Sequence, residues 1–190
     1  MPRIFSHKDR ESIRKVLIEN GRKALEKSSY KNISVADIAL ETGIAKGTFY
    51  NFFSSKEAFF YEVIISIRDE NRRELTELIH EPTWQNAYDF FFRRYTTSKT
   101  VYDYFTTEEM KIIFRRLPEK QTEADEDSVK LARQLISVCT DRKTIKAEVV
   151  VNLMNIAAAA ASNRDFLLKE QYNETVSVLA KAMADYILGK

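Results

Sequence analysis

The 190-residue chain is poor in residues that break regular structure, with four Gly and three Pro. Tight-turned β architectures need many more, so long helices are expected. It has a single cysteine, Cys139, which can form no internal disulfide, so nothing points to an oxidising compartment. Its two histidines, His7 and His80, lack HxxxH or HxxE partners, and Cys139 has no His or Cys beside it. Metal and thiol catalysis therefore lack their usual residues. There is neither a phosphate-binding glycine loop nor a nucleophile elbow. The acidic run Glu123, Asp125, Glu126, Asp127 lacks EF-hand spacing and reads as favourable charge at a helix N-terminus. A long hydrophobic run is missing too: the most apolar stretch, Ala58 to Ile67, is interrupted by Glu62 and is too short to span a bilayer. The first residues hold no apolar signal-peptide core. These absences lead to the expectation of a cytoplasmic non-enzyme with no cofactor, no metal and no membrane partner.

What is present suits helices. Hydrophobic residues make up 44% and charged residues 31% of the chain, enough for a core and for solvated helix faces. The net charge of +2 hides an asymmetry: residues 1–56 hold 11 Lys/Arg against 6 Asp/Glu, and the remainder 19 against 22. A basic front suggests a polyanionic partner, although solvated charge clusters also arise by chance.

Apolar spacings of three and four run through the chain and predict about nine helices, an all-α fold. The first is expected over about Lys8–Lys27. The second begins after Ser34, a good N-cap with Asp37 in a near capping box, and ends at Gly43. A short third helix is expected over about Ala45–Phe52. A long fourth runs from Ser54 or Ser55 to about His80, where Glu81-Pro82 stops it. Further helices are expected over Thr83–Thr97, Val101–Phe105, Thr107–Leu117 (ended by Pro118), Glu123–Thr140, Ile145–Glu170 and Asn173–Leu188.

The informative segment is Ser34 to Glu57, SVADIALETGIAKGTFYNFFSSKE. It reads as helix, glycine turn, short helix, then a capped third helix, the helix-turn-helix layout that places its second helix in a DNA groove. The exposed residue types fit. Ser34 and Thr48 offer hydroxyls, Lys46 and Lys56 charge, Tyr50 a phenol and Asn51 an amide, while Gly47 lets the helix approach a backbone closely. An ordinary helical hairpin with a polar face would show a similar pattern.

Ile38-Ala39, Gly43-Ile44, Lys46-Gly47-Thr48-Phe49-Tyr50, Phe52-Phe53 and Ser55-Lys56-Glu57 hold their spacing together, and in this the segment closely resembles the signature of the TetR family of transcriptional regulators. The resemblance covers roughly residues 8–62. It implies a DNA-binding domain there, with its motif at about 34–53, and a ligand-binding and dimerisation domain over 63–190. It also implies that Ser34 caps the second helix and touches phosphate, and that Lys46, Gly47 and Thr48 open the recognition helix. Tyr50 and Lys56 are expected at phosphates and Asn51 at the groove edge, with Phe49 and Phe53 in the core. Ala45 departs from the Ser common at that position, a lost cap worth about 1 kcal/mol. Arg3, Lys8 and Arg10 form a basic arm or are simply solvated.

The resemblance further implies a homodimer on double-stranded palindromic operator DNA, since one short motif reads one half-site. Candidate interface residues are Ala157 and Ala161 in the small-residue run, and the stripe Tyr172, Val176, Leu179, Met183 and Tyr186; the same residues would equally suit an internal core. A small-molecule, largely apolar effector is expected among the aromatics after the fourth helix. Candidates are Asn71, Trp84, Tyr88, Phe91, Tyr95 and Phe114, though aromatic stripes more often form core. Arg93 and Arg94 sit beside them and could meet an anionic ligand or an internal ion pair. The function expected is a ligand-responsive regulator, in the usual family manner a repressor. The rival is a helical interaction adaptor that keeps the fold without DNA; an enzyme is disfavoured by the missing motifs.

Overall fold

The computed structural model describes residues 7–140, 144–163 and 167–188. It is all-α, as expected. Among the described residues the helices are α1 (His7–Lys27), α2 (Val35–Glu41), α3 (Lys46–Phe49), α4 (Lys56–His80), α5 (Trp84–Thr96), α6 (Thr107–Arg116), α7 (Pro118–Cys139), α8 (Ala147–Ser162) and α9 (Tyr172–Leu188), with short 3-10 turns at Tyr30–Asn32, Val101–Asp103 and Lys169–Gln171. None of these helices is long and apolar enough to cross a membrane.

Three elements differ from their expected spans, each for a local reason. Pro118 does not merely end α6 but opens α7. The first helical position needs no N–H, and the fixed φ of proline suits it. α8 stops at Ser162, eight residues short of Glu170. There the Ser162 hydroxyl donates to the Ala158 carbonyl at 3.0 Å and the Asn163 amide to that of Ala159 at 2.7 Å, the local competition by which such side chains end helices. The near capping box at Ser34 is only half formed, its hydroxyl accepting from Ala36 N–H at 3.1 Å. A complete box lies instead at Thr106–Glu109, and it accounts for burial of the Glu109 carboxylate.

The chain forms two compact units. One comprises residues up to Ile67 together with Tyr104–Pro118; the other comprises Arg68–Asp103 and Glu119 onward, so that α4 contributes to both. The first unit therefore takes in 104–118 as well as the segment that carries the motif. Its core is aromatic. Phe59 lies 5.1 Å from Phe49, 5.0 Å from Phe53 and 4.9 Å from Phe60, ring centre to ring centre, in edge-on arrangements that aromatic quadrupoles favour. Tyr30 and Phe105 extend the cluster through Phe60. α1 closes on α4 at Gly21, where a β-carbon would come within 2.5 Å of the Phe59 ring.

The second unit has an aliphatic and aromatic core: Leu75 and Leu78 of α4, Phe90, Phe91 and Tyr95 of α5, Leu135 of α7, Val150 of α8 and Met183 of α9. α5 and α9 pack along their length. Polar tips tie them: Trp84 Nε1 donates to Asp185 at 2.6 Å, the Tyr88 hydroxyl meets that of Ser177 at 3.0 Å, and the Tyr172 hydroxyl donates to the Tyr95 carbonyl.

The α1–α4 closure gives a test. Gly21→Ala gains up to about 1 kcal/mol of helix propensity but overpacks Phe59, at a cost of roughly 1–3 kcal/mol. A net loss follows, seen calorimetrically as a melting temperature lower by a few degrees, and Phe59→Leu in the same chain should restore part of it. An unchanged or higher melting temperature would mean that the two helices do not meet at this glycine.

Candidate functional site

The helix-turn-helix is built from its caps inward. α2 buries Val35, Ile38 and Ala39 and leaves Ser34 exposed at its N-cap. Its end is a full Schellman closure: Gly43 N–H donates to the Leu40 carbonyl at 2.9 Å and Ile44 N–H to that of Ala39 at 3.0 Å. Gly43 has φ +73°, the one left-handed residue among those described, and a side chain there would be strained. Asn20 of α1 donates to the Thr42 hydroxyl at 3.0 Å, fastening the turn to the first helix.

α3 is one α-helical turn, Lys46–Phe49, continued to Phe53 by turn-type bonds, and its N-cap Ala45 supplies no side-chain bond. Phe49 is fully buried and Phe53 nearly so, as expected. Around the buried Phe49, Lys46, Gly47 and Tyr50 are all exposed, Tyr50 by 46% with its ring edge-on to that of Phe49 at 5.5 Å. Thr48 is half-buried, and Asn51 is exposed just beyond. A β-carbon at Gly47 would meet nothing within 4 Å, so the backbone is open to a close partner.

Two arginines of α1, of which Arg10 was expected in an arm or in solvent, hold the far end of α3. Arg10 donates to the Asn51 carbonyl at 3.0 Å and covers the Phe52 ring. Arg14 donates to the Phe52 carbonyl at 3.3 Å, covers Phe53, and pairs with Glu62 at 3.0 Å. Cations there satisfy orphan carbonyls. Their four-residue spacing, which puts both on one face of α1, was the available signal. Arg3 lies outside the described residues.

Lys56 is placed differently from the other candidates. Its ammonium donates to the Tyr30 carbonyl at 2.7 Å and sits 4.5 Å from the Tyr30 ring centre. Burial lowers its pKa from the ordinary lysine value, with Glu57 and Glu109 opposing the shift. Burial, then Glu57, pushes the Tyr30 phenol up to about 12. Lys56 is thus a strut between the turn after α1 and the start of α4, with two N–H groups left for other acceptors. Ser55, rather than Ser54, caps α4 by accepting from Ala58 N–H at 3.0 Å.

The second unit contains a cavity of about 110 Å³. Its apolar wall includes Leu75, Leu135, Val150 and Met154, and its polar wall includes Arg72, Arg94, Asp125 and Asn155. None of the five effector candidates with described side chains is among its lining residues. Trp84, Tyr88 and Phe92 stack as a half-buried ladder, Phe91 and Tyr95 are in the core, and Phe114 packs on Tyr61 in the first unit. The side chain of Asn71 lies outside the described residues. Of the interface candidates, Ala157, Ala161, Val176 and Met183 are buried within the protomer, and Tyr172, Leu179 and Tyr186 are half-buried. The four-and-three spacing of the α9 stripe marks packing on α5.

Comparison with known proteins agrees with this geometry. Residues 17–63 match the family described as bacterial regulatory proteins, tetR family. The HTH-type transcriptional repressor DhaR of Mycobacterium sp. (strain GP1) is 31% identical over 72 residues, covering 38% of this chain and 36% of that protein. The chain thus spans about a third of the length of that curated relative. A transcriptional regulator of the TetR/AcrR family from Thermobifida fusca YX-ER1 superposes with a TM-score of 0.53 at 17% identity, over 88% of this chain and 96% of the other, so the two share a fold. The likeness to the tetR family thus rests on the N-terminal segment, residues 17–63.

The two lysines should separate on mutation. Lys56→Ala removes a charged hydrogen bond to a carbonyl, an interaction of about 1.5–3 kcal/mol when buried and less at this half-buried position. A drop of several degrees in melting temperature is expected. Lys46→Ala, on the open surface, should leave it within about a degree. Equal melting temperatures for the two variants would refute the strut.

Proposed function

We propose that this chain is a ligand-responsive transcriptional regulator, in its simplest form a repressor. It binds palindromic operator DNA in the cytoplasm as a homodimer and releases it when a small molecule binds. The observation that carries the reading is the exposure of Lys46, Gly47 and Tyr50 on a one-turn helix that the buried Phe49 anchors. Such a rod offers a charge, a close-approach backbone and a phenol to a groove without bending to do so. In this reading Ser34, Thr48 and Asn51 complete the contacts, and Lys56 adds a phosphate through its remaining donors. The DNA-binding domain covers residues 8–62, supported by 104–118 in the same compact unit, and residues 63–190 supply sensing and assembly.

A homodimer places two such rods roughly one DNA turn apart, about 34–36 Å. The faces of α8 and α9 that support it are the ones the protomer leaves open. Ile156 is 68% exposed and Val178 62%, with Val149 exposed on the same helix as Ile156. Apolar side chains on neighbouring helices suit a self-complementary surface. Ala157, Ala161, Val176 and Met183 then stiffen the interface from behind. Sensing works by population shift: α4 carries cavity residues such as Arg72 and Leu75 and runs into the DNA-binding unit, so a ligand favouring one disposition of α4 shifts DNA affinity in proportion to that preference.

DNA binding is checked by fluorescence anisotropy on palindromes from upstream of the gene, at several salt concentrations. Tyr50→Phe and Lys46→Ala should weaken binding to all sequences alike, Lys46→Ala reducing the salt slope by roughly one. Full affinity in both variants would remove the proposed interface.

Assembly is checked by analytical ultracentrifugation. Ile156→Glu and Val178→Glu should give folded monomers with at least tenfold weaker operator binding. Dimers of undiminished stability would move the interface elsewhere.

A further inference from the structure

The cavity in the second unit carries information about what it holds. Its wall combines aliphatic side chains from α4, α7 and α8 with Arg94 from α5. Arg94 Nε and Nη1 are buried and hydrogen-bond to nothing among the described residues. Tyr95 shares a side-chain hydrogen bond with the guanidinium and Glu74 lies within electrostatic reach, yet Nε and Nη1 stay unmatched. Burial accordingly lowers the Arg94 pKa from the usual guanidinium value. A buried charged donor without an acceptor is among the costlier features a fold can keep. The guanidinium is a rigid planar fork matched to oxyanions. Arg72, also on the wall, adds positive charge, though Asp69 lies 3.8 Å from it, and Asp125 is the acidic member of the lining. The volume sets the size: about 110 Å³ is somewhat below the roughly 150 Å³ cavity that accepts benzene.

We propose that this cavity binds a small organic acid, its carboxylate on Arg94 and its compact apolar body against Leu75, Leu135, Val150 and Met154. This rests on the ligand-responsive reading above and names its ligand class. Long acyl chains and bulky polycyclic ligands exceed the volume, and a neutral acceptor such as an amide oxygen can meet the guanidinium nitrogens but not compensate their charge.

The test uses the full chain without DNA and reads thermal shift and calorimetric titration. Probes are propanoate and butanoate, the neutral amides of both, and inorganic phosphate. The acids should raise the melting temperature in a concentration-dependent manner and bind at least tenfold more tightly than their amides. Arg94→Met should abolish that preference. It should also leave the melting temperature of the ligand-free protein unchanged or higher, because an unmatched buried charge has been replaced by an apolar chain. Acids that bind no better than amides, or a preference that survives Arg94→Met, would overturn the proposal. So would a steep loss of ligand-free stability in Arg94→Met, which would make Arg94 a satisfied structural residue, or binding of phosphate alone. Operator binding is then measured separately with propanoate and butanoate. Acid binding through Arg94 that leaves DNA affinity unchanged would support this proposal while overturning the ligand-responsive reading. Failure of all acids to bind would overturn this one and leave that reading standing.

Discussion

The exposed surface of α3 depends on the burial of one ring, Phe49, against Phe59. A four-residue helix cannot support itself, because nucleation costs more than a single turn of hydrogen bonds returns. α3 also lacks a side-chain N-cap, since Ala45 stands where a hydroxyl would serve. What holds it is the edge-on cluster of Phe49, Phe53, Phe59 and Phe60 on one side and the Schellman closure at Gly43 on the other. The exposed residues are therefore positioned by tertiary packing and not by helix propensity, and their orientation is fixed as firmly as the core itself.

The second unit solves a different problem. It buries long aromatic and aliphatic faces where α5 meets α9, then leaves a modest space bordered by a guanidinium whose donors are not all matched. Well-packed interiors hold few voids and few unsatisfied polar groups. Finding both around Arg94 separates this region from the rest of the core, where polar tips such as Trp84 Nε1 and the Tyr88 hydroxyl have partners.

The motif was legible in the sequence because its signals are local: a cap, a glycine and apolar spacing act within a few residues of one another. The burial of Phe49 and Phe53, the exposure of Tyr50 and the end of α2 at Gly43 all follow from such signals. Side chains whose partners lie 26 to 41 residues away were not legible. Lys56 reads as a surface charge until Tyr30 is seen beneath it, and Arg10 reads as an arm until the carbonyl of Asn51 is seen beside it. The aromatics of α5 were ambiguous for a related reason. Periodicity shows that a face is buried but not whether it lines a cavity or packs on another helix; Phe91 and Tyr95 took the second course. α8 ran long in the sequence reading because its alanine run carries no stop signal, and Ser162 and Asn163 end it through side-chain bonds that hydrophobic periodicity does not register.

The same comparison corrects the use of net charge. A tally of basic residues in the first 56 suggests a set of free cations, yet three of them are held inward. Two of these, Arg10 and Lys56, are tied to neutral carbonyls. A carbonyl fixes the cation in place without cancelling its charge, whereas Glu62 offsets that of Arg14. The positive field that draws a polyanion from a distance therefore largely survives while the side chains serve as structure. In the proposed reading, direct contact falls foremost to Lys46 and Tyr50, which the fold leaves exposed. Which cations are tied down and which are open is visible only from burial and bonding partners.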